Sequence, residues 1–192
     1  MRLALGVLTA FAIAAGLGLG ATWWTTANGL PAGGLRIGVW RADPDAGTLA
    51  ADPYEIAQAV RSGEAALSYG DGLAFTARTD DDGRALDAAC DYELTGDLPA
   101  ARLWTLSAFT PDGRRFSTGS RNVSLSSATD VRIAGQPLKI ELSRHARPGA
   151  WAPLEGDGAF ALRLSLYETV IGTPLERANP TNLLSIRRLA CL

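Results

Sequence analysis

Residues Leu3 to Ala21 read LALGVLTAFAIAAGLGLGA, a run without a single charge. A helix needs roughly 20 apolar residues to cross a bilayer core. This stretch is long enough to do so, and the rest of the fold has to be built from the residues after it. Arg2 precedes the run, and Trp23 and Trp24 come after it, where interfacial aromatics belong. A cleaved signal peptide has a shorter core, about 7–15 residues, and a small-x-small cleavage site. Here the core is longer and the flank GATWWTT is a poor cleavage site. We therefore read residues 1–24 as an uncleaved single-span anchor. Arg2 is the only charge close to the span, so the positive-inside rule sets the N-terminus in the cytoplasm. The rest of the chain would then lie on the periplasmic, extracytoplasmic side of the inner (cytoplasmic) membrane. Gly16 and Gly20 have the spacing of a helix-dimer face, but glycine and alanine are common throughout the span. GLGLG is not a nucleotide loop, because no strand precedes it.

The remainder, about 150–170 residues, is one domain by size. The formal net charge is −2, and no Lys/Arg-rich run or aromatic-basic stripe occurs, which argues against nucleic acid as a partner. Residues 25–36 hold TTANGLPAGGL, a linker by composition, and 37–192 form the domain. Its first element is IGVWRADPDAG, an extended segment ending in a turn. DPYEIAQAVRSG then carries helix signals: Asp52 as cap, Pro53 at the first helical position, Glu55 for a capping box, and Gly63 to stop. Ile56, Ala59 and Val60 make a narrow apolar stripe.

After this helix the period changes to two. Leu73, Phe75 and Ala77 share one face, as do Cys90, Tyr92 and Leu94, then Trp104, Leu106 and Ala108, then Leu138, Ile140 and Leu142, then Phe160, Leu162, Leu164 and Leu166. DDDG (80–83), TPDG (110–113) and EGDG (155–158) supply turns. Short alternating strands with turn chemistry between them predict an all-β, antiparallel β-sandwich or barrel with one short helix.

Chemistry-bearing motifs are few. TDDDGRALD resembles a calcium loop, but with Gly83 at position six the first and last ligand positions fall on Arg78 and Ala89. A hairpin turn explains it better. Asn122-Val-Ser fits a glycosylation pattern that matters only in a eukaryotic secretory route. Cys90 and Cys191 are the only cysteines. An even pair in an exported domain favours a disulfide, with two free thiols as the alternative. Two cysteines and the lone His145 are too few for a metal site, and no cofactor motif is present. Ser143 and His145 stand close in sequence, but on a continued strand their side chains would be about 6–7 Å apart, too far for direct contact.

Several pieces together resemble the DUF1214 family, a domain of unknown function, in a short membrane-anchored bacterial form. DPYEIAQAVRSGEAAL resembles its Pro-Tyr helix, RTDDDGRALDAACDY a hairpin, and LWTLSAFTPDG a strand and turn. RPGAWAP resembles a PGNWLP-like turn, FALRLSLYET a strand, and LLSIRRLAC the C-terminal end. The resemblance implies a jelly-roll-like sandwich with no established reaction, and it places both cysteines where this form has them, which supports the disulfide. Ala150, Asp71 and Leu184 depart from the pattern: Asn, Glu and a Leu-Pro pair are usual there.

Two functional readings are compatible with these features. One is a non-enzymatic envelope protein whose sandwich binds a protein, lipid or glycan partner. Its expected ligand surface is Trp104, Arg121, Trp151, Arg163 and Tyr167, since Trp and Tyr combine an apolar body with a polar tip. No catalytic residue is assigned in this reading, and the oligomeric state is left open. The other is an envelope hydrolase using Ser143 and His145, or carboxylates of the Asp80 and Asp157 turns. The turn RPGAW is expected to pack its tryptophan against the sandwich.

Overall fold

The computed structural model describes residues 2–28, 34–62, 66–67, 70–111, 113–118, 121–129, 136–169 and 182–191. Helix α1 (Arg2–Asn28) contains the apolar run and continues into the first four residues of the expected linker. Its stretch Arg2–Thr25 is long and apolar enough to cross a membrane and is unburied by the rest of the chain. Residues 29–33 of that linker lie outside the described residues.

The segment expected to be singly extended is a hairpin. β1 (Leu35–Ile37) and β2 (Trp40–Ala42) pair antiparallel. Gly38, with φ 59°, supplies the left-handed turn conformation that an L side chain disfavours. Helix α2 (Pro53–Ser62) starts as the capping signals predict: Asp52 Oδ1 accepts the Tyr54 N–H at 2.8 Å, and its carbonyl accepts the Ile56 N–H. The expected stop at Gly63 lies outside the described residues.

The remaining strands are β3 (Gly72–Ala77), β4 (Cys90–Gly96), β5 (Leu103–Phe109), β6 (Ser117–Thr118), β7 (Arg121–Asn122), β8 (Ser124–Ser126), β9 (Leu138–Ser143), β10 (Ala150–Pro153), β11 (Ala161–Tyr167) and β12 (Ser185–Cys191). They form two main sheets, ordered β1-β2-β3-β11-β5-β8 and β10-β9-β4-β12, with β6-β7 as a small ribbon. The alternation dictates how the sheets meet. Leu73, Phe75, Leu106, Leu162, Leu164 and Leu166 on the larger sheet and Tyr92, Leu94, Ile140, Leu142 and Ile186 on the smaller one share a single buried core. Each such side chain, fully buried, contributes about 1.5–3 kcal/mol.

The turns at 80–83 and 110–113 are built alike. Gly83 N–H donates to the Asp80 carbonyl, Gly113 N–H to that of Thr110, and both glycines have positive φ, 80° and 83°. One pair departs from the antiparallel expectation: β10 runs parallel to β9, with Ala150 beside Ile140 and Pro153 beside Ser143. Parallel neighbours ordinarily need a dozen or more connecting residues. Here Arg144–Gly149 make the return, and Gly149 with φ 88° helps turn it.

Candidate functional site

Ser143 organises that return. Its Oγ donates to Asp91 Oδ2 at 3.0 Å and accepts the His145 backbone N–H at 3.2 Å. Its carbonyl accepts the Trp151 indole N–H at 3.0 Å and the Leu154 N–H at 3.1 Å. The residue is 1% exposed. The His145 imidazole is exposed and makes no hydrogen bond to the serine. The two stand close through a backbone N–H, so they do not form the arrangement that serine–histidine catalysis requires. Trp151 lies half-buried against the sandwich rather than in its core. It pairs in register with Glu141 on the outer face of the smaller sheet, while Ala152 points inward.

That outer face is a lattice of charges. Glu93 receives Lys139 at 2.8 Å and Arg187 at 2.5 Å. Lys139 also reaches Glu141 at 3.1 Å, and Arg147 lies 3.6 Å from both Glu141 and Asp91. The hydrogen bonds from Lys139 and then Arg187 hold the Glu93 pKa below the ordinary carboxylate value.

The DDDG turn is also more than a solvated loop. Asp80 is 1% exposed. Its carboxylate accepts the backbone N–H and the guanidinium of Arg84 at 2.8 and 2.9 Å. Arg188 Nε lies 3.2 Å away, an ion pair whose angles fall short of a hydrogen bond. Burial pushes the Asp80 pKa up, but the Arg84 bonds and the charges of Arg84 and Arg188 outweigh it, and the net direction is down. Asp81 fastens the turn to β12, with Oδ2 accepting the Ile186 N–H at 2.9 Å. Asp157 lies in the exposed turn before β11. Among the described residues no group of three or more His, Cys, Asp or Glu is placed to hold a metal ion. Cys90 and Cys191 are joined in a disulfide that ties the start of β4 to the end of β12.

The five residues expected to form one ligand surface do not converge. Trp104 is 4% exposed and belongs to the core, because its strand turns Trp104, Leu106 and Ala108 inward together. Trp151 lies on the other sheet. Arg121 is on β7, and its side chain lies outside the described ones. Arg163 and Tyr167 do share a surface, the outer face of the larger sheet, with Ser165 between them.

There Arg163 is flanked in register by Thr76 on β3 and Ser107 on β5. Its guanidinium sits 6.0 Å from the Phe109 ring centre. Burial lowers its pKa below the usual arginine value, with Tyr167 acting in the other direction. Ser165 is 7% exposed, and Thr76 and Ser107 carry hydroxyls on either side of Arg163. The hydroxyl-bearing outward positions could have been found by writing the alternation of β3, β5 and β11 for the polar side; only Arg163 and Tyr167 stood out as residue types. A hollow between the sheets, lined by Leu106, Val123, Leu142, Ala152 and Leu162 among others, has no room for a water molecule and is a packing gap.

A family described as "Protein of unknown function (DUF1214)" matches residues 71–170. No curated protein matches the sequence. The crystal structure of the VPA0106 protein from Vibrio parahaemolyticus is similar in fold, with a TM-score of 0.54 at 17% identity, covering 72% of this chain and 36% of that one. A crystal structure of an uncharacterised protein from Burkholderia cenocepacia aligns at 21% identity with a TM-score of 0.41, covering 64% of this chain and 30% of that one. The chain thus spans about a third of the length of these solved structures.

Proposed function

This chain belongs to the DUF1214 family, and from that premise we propose that it is a membrane-tethered envelope protein whose β-sandwich binds a protein, lipid or glycan partner on the periplasmic, extracytoplasmic side. In this reading residues 1–24 are the anchor, 25–36 lead away from the membrane, and 37–192 are the binding domain. The apolar helix and the disulfide support the location, since disulfides persist in oxidising compartments.

The observation that carries the binding reading is the Arg163 face. An arginine half-buried on the outer face of a sheet, beside an aromatic ring and flanked by the hydroxyl-bearing Thr76 and Ser107, is suited to hydrogen-bonding a polar or anionic group. The hydrolase alternative would need Ser143 released from Asp91 and the His145 ring brought to it, or Asp80 freed from Arg84 and Arg188.

Isolating the tagged protein from cross-linked membranes tests the reading. A partner retained by the native chain and lost with Arg163→Ala is expected. Capture that is the same for both proteins, or no capture with the native chain, would overturn it.

A further inference from the structure

The exposed large hydrophobic side chains outside α1 are not scattered. Among the described residues they are Leu49, Tyr54, Ile56, Val60 and Leu189, and four of these five fall in one segment, the approach to α2 and α2 itself. Ile56 and Val60, one helical turn apart, are 51% and 78% exposed. A helix of a soluble domain normally turns such a stripe into the core. α2 is strongly amphipathic with almost no net hydrophobicity, yet its apolar side is left outside the sandwich. Helices that lie in a membrane interface share that combination.

The position of α2 says which surface this is. Its backbone comes within 8 Å of α1, the helix whose apolar stretch fits a bilayer. Trp23 and Trp24, exposed near the C-terminal end of that stretch, mark where its interface would fall. We propose that α2 rests in the surface of the bilayer that α1 crosses, with Ile56 and Val60 among the lipid acyl chains. Asp52, Glu55 and Arg61 give the segment no positive excess, so apolar contact rather than anionic headgroups holds it there. The consequence is mechanical: a second contact would fix how the sandwich stands on its anchor. The proposal rests on the membrane-tethered reading above.

The native disulfide leaves no free cysteine, so an introduced one is a unique labelling site. The full chain is reconstituted in phosphatidylcholine vesicles carrying nitroxide lipids. Ile56→Cys, Val60→Cys, Leu8→Cys and Ser124→Cys are each labelled with an environment-sensitive fluorophore. Nitroxides near the headgroup are expected to quench positions 56 and 60 more than nitroxides near the chain end do. Nitroxides near the chain end should quench position 8 most, and position 124 should respond to neither. Quenching at 8 with none at 56 or 60 would overturn the proposal and leave the tether standing. Positions 56 and 60 shielded from water without lipid quenching would overturn it in favour of a protein occupant, a second copy included. No quenching at 8 would remove the tether, and this inference with it.

Discussion

The indole N–H of Trp151 donates to the Ser143 carbonyl at 3.0 Å, across the short return that lays β10 parallel to β9. The same serine bonds Asp91 through its hydroxyl, so one residue fastens three segments. Trp151→Phe keeps an aromatic ring and loses one hydrogen bond, with an expected cost of about 0.5–1.5 kcal/mol. Ser143→Ala keeps the carbonyl that Trp151 binds but removes the hydroxyl from Asp91 and from the His145 N–H, and should cost about 1–3 kcal/mol. Urea unfolding monitored by tryptophan fluorescence measures both. Equal, negligible losses would contradict this role for Ser143.

The disulfide closes a loop with a sequence separation of 101. Chain-entropy reasoning gives up to about 4–5 kcal/mol for a loop of that size. Cys90→Ala with Cys191→Ala should therefore lower the urea midpoint strongly while the β-rich circular dichroism is retained at low temperature. An unchanged midpoint would show that the unfolded chain is not restrained by this bond.

Asp80 and Glu93 have folded pKa values below their ordinary ones. Stability from such groups is fully present above the unfolded pKa and is lost as pH falls through the folded value. Asp81 is shifted upward, chiefly by burial, so its contribution has the opposite sign and weakens as pH rises through its folded value. The contribution of Asp80 and Glu93 should thus be lost as pH falls below about 4. Asp80→Asn should flatten that dependence and cost up to about 3–5 kcal/mol at neutral pH, because it leaves Arg188 facing an uncharged group. Melting temperatures recorded between acid and neutral pH check the slope.

Arg163→Ala separates binding from folding. The side chain gives up its place over the Phe109 ring while the strand pairing is kept, so a change of no more than about 1–2 kcal/mol is expected. A large loss on thermal unfolding would make Arg163 a structural residue.

Much of this arrangement is written in the period of the sequence. Leu162, Leu164 and Leu166 alternate with Arg163 and Ser165, so the inward and outward sides of β11 come from the letters alone, and Asp52 announces the start of α2 through its capping oxygen. What the letters do not contain is partnership across distance. Asp80 looks like one of three turn aspartates until Arg188, far along the chain, is folded against it. Trp104 and Trp151 are the same residue type with opposite fates, because alternation is counted from the strand and not from the aromatic ring. The parallel placement of β10 is illegible for a similar reason: it depends on which backbone groups Ser143 binds, and nothing local distinguishes that turn from a hairpin. The stripe of α2 was visible, but its exposure was not, since a pattern of apolar residues does not say what will cover them.

Whether the Arg163 face receives a partner while the sandwich is tethered can be read in intact cells by photo-crosslinking. A photoreactive residue replaces Ser107, beside Arg163, or Lys139, on the outer face of the opposite sheet. A discrete adduct is expected from position 107, lost with Arg163→Ala, and none from position 139. An adduct from 139 alone, or one at 107 that survives Arg163→Ala, would contradict it.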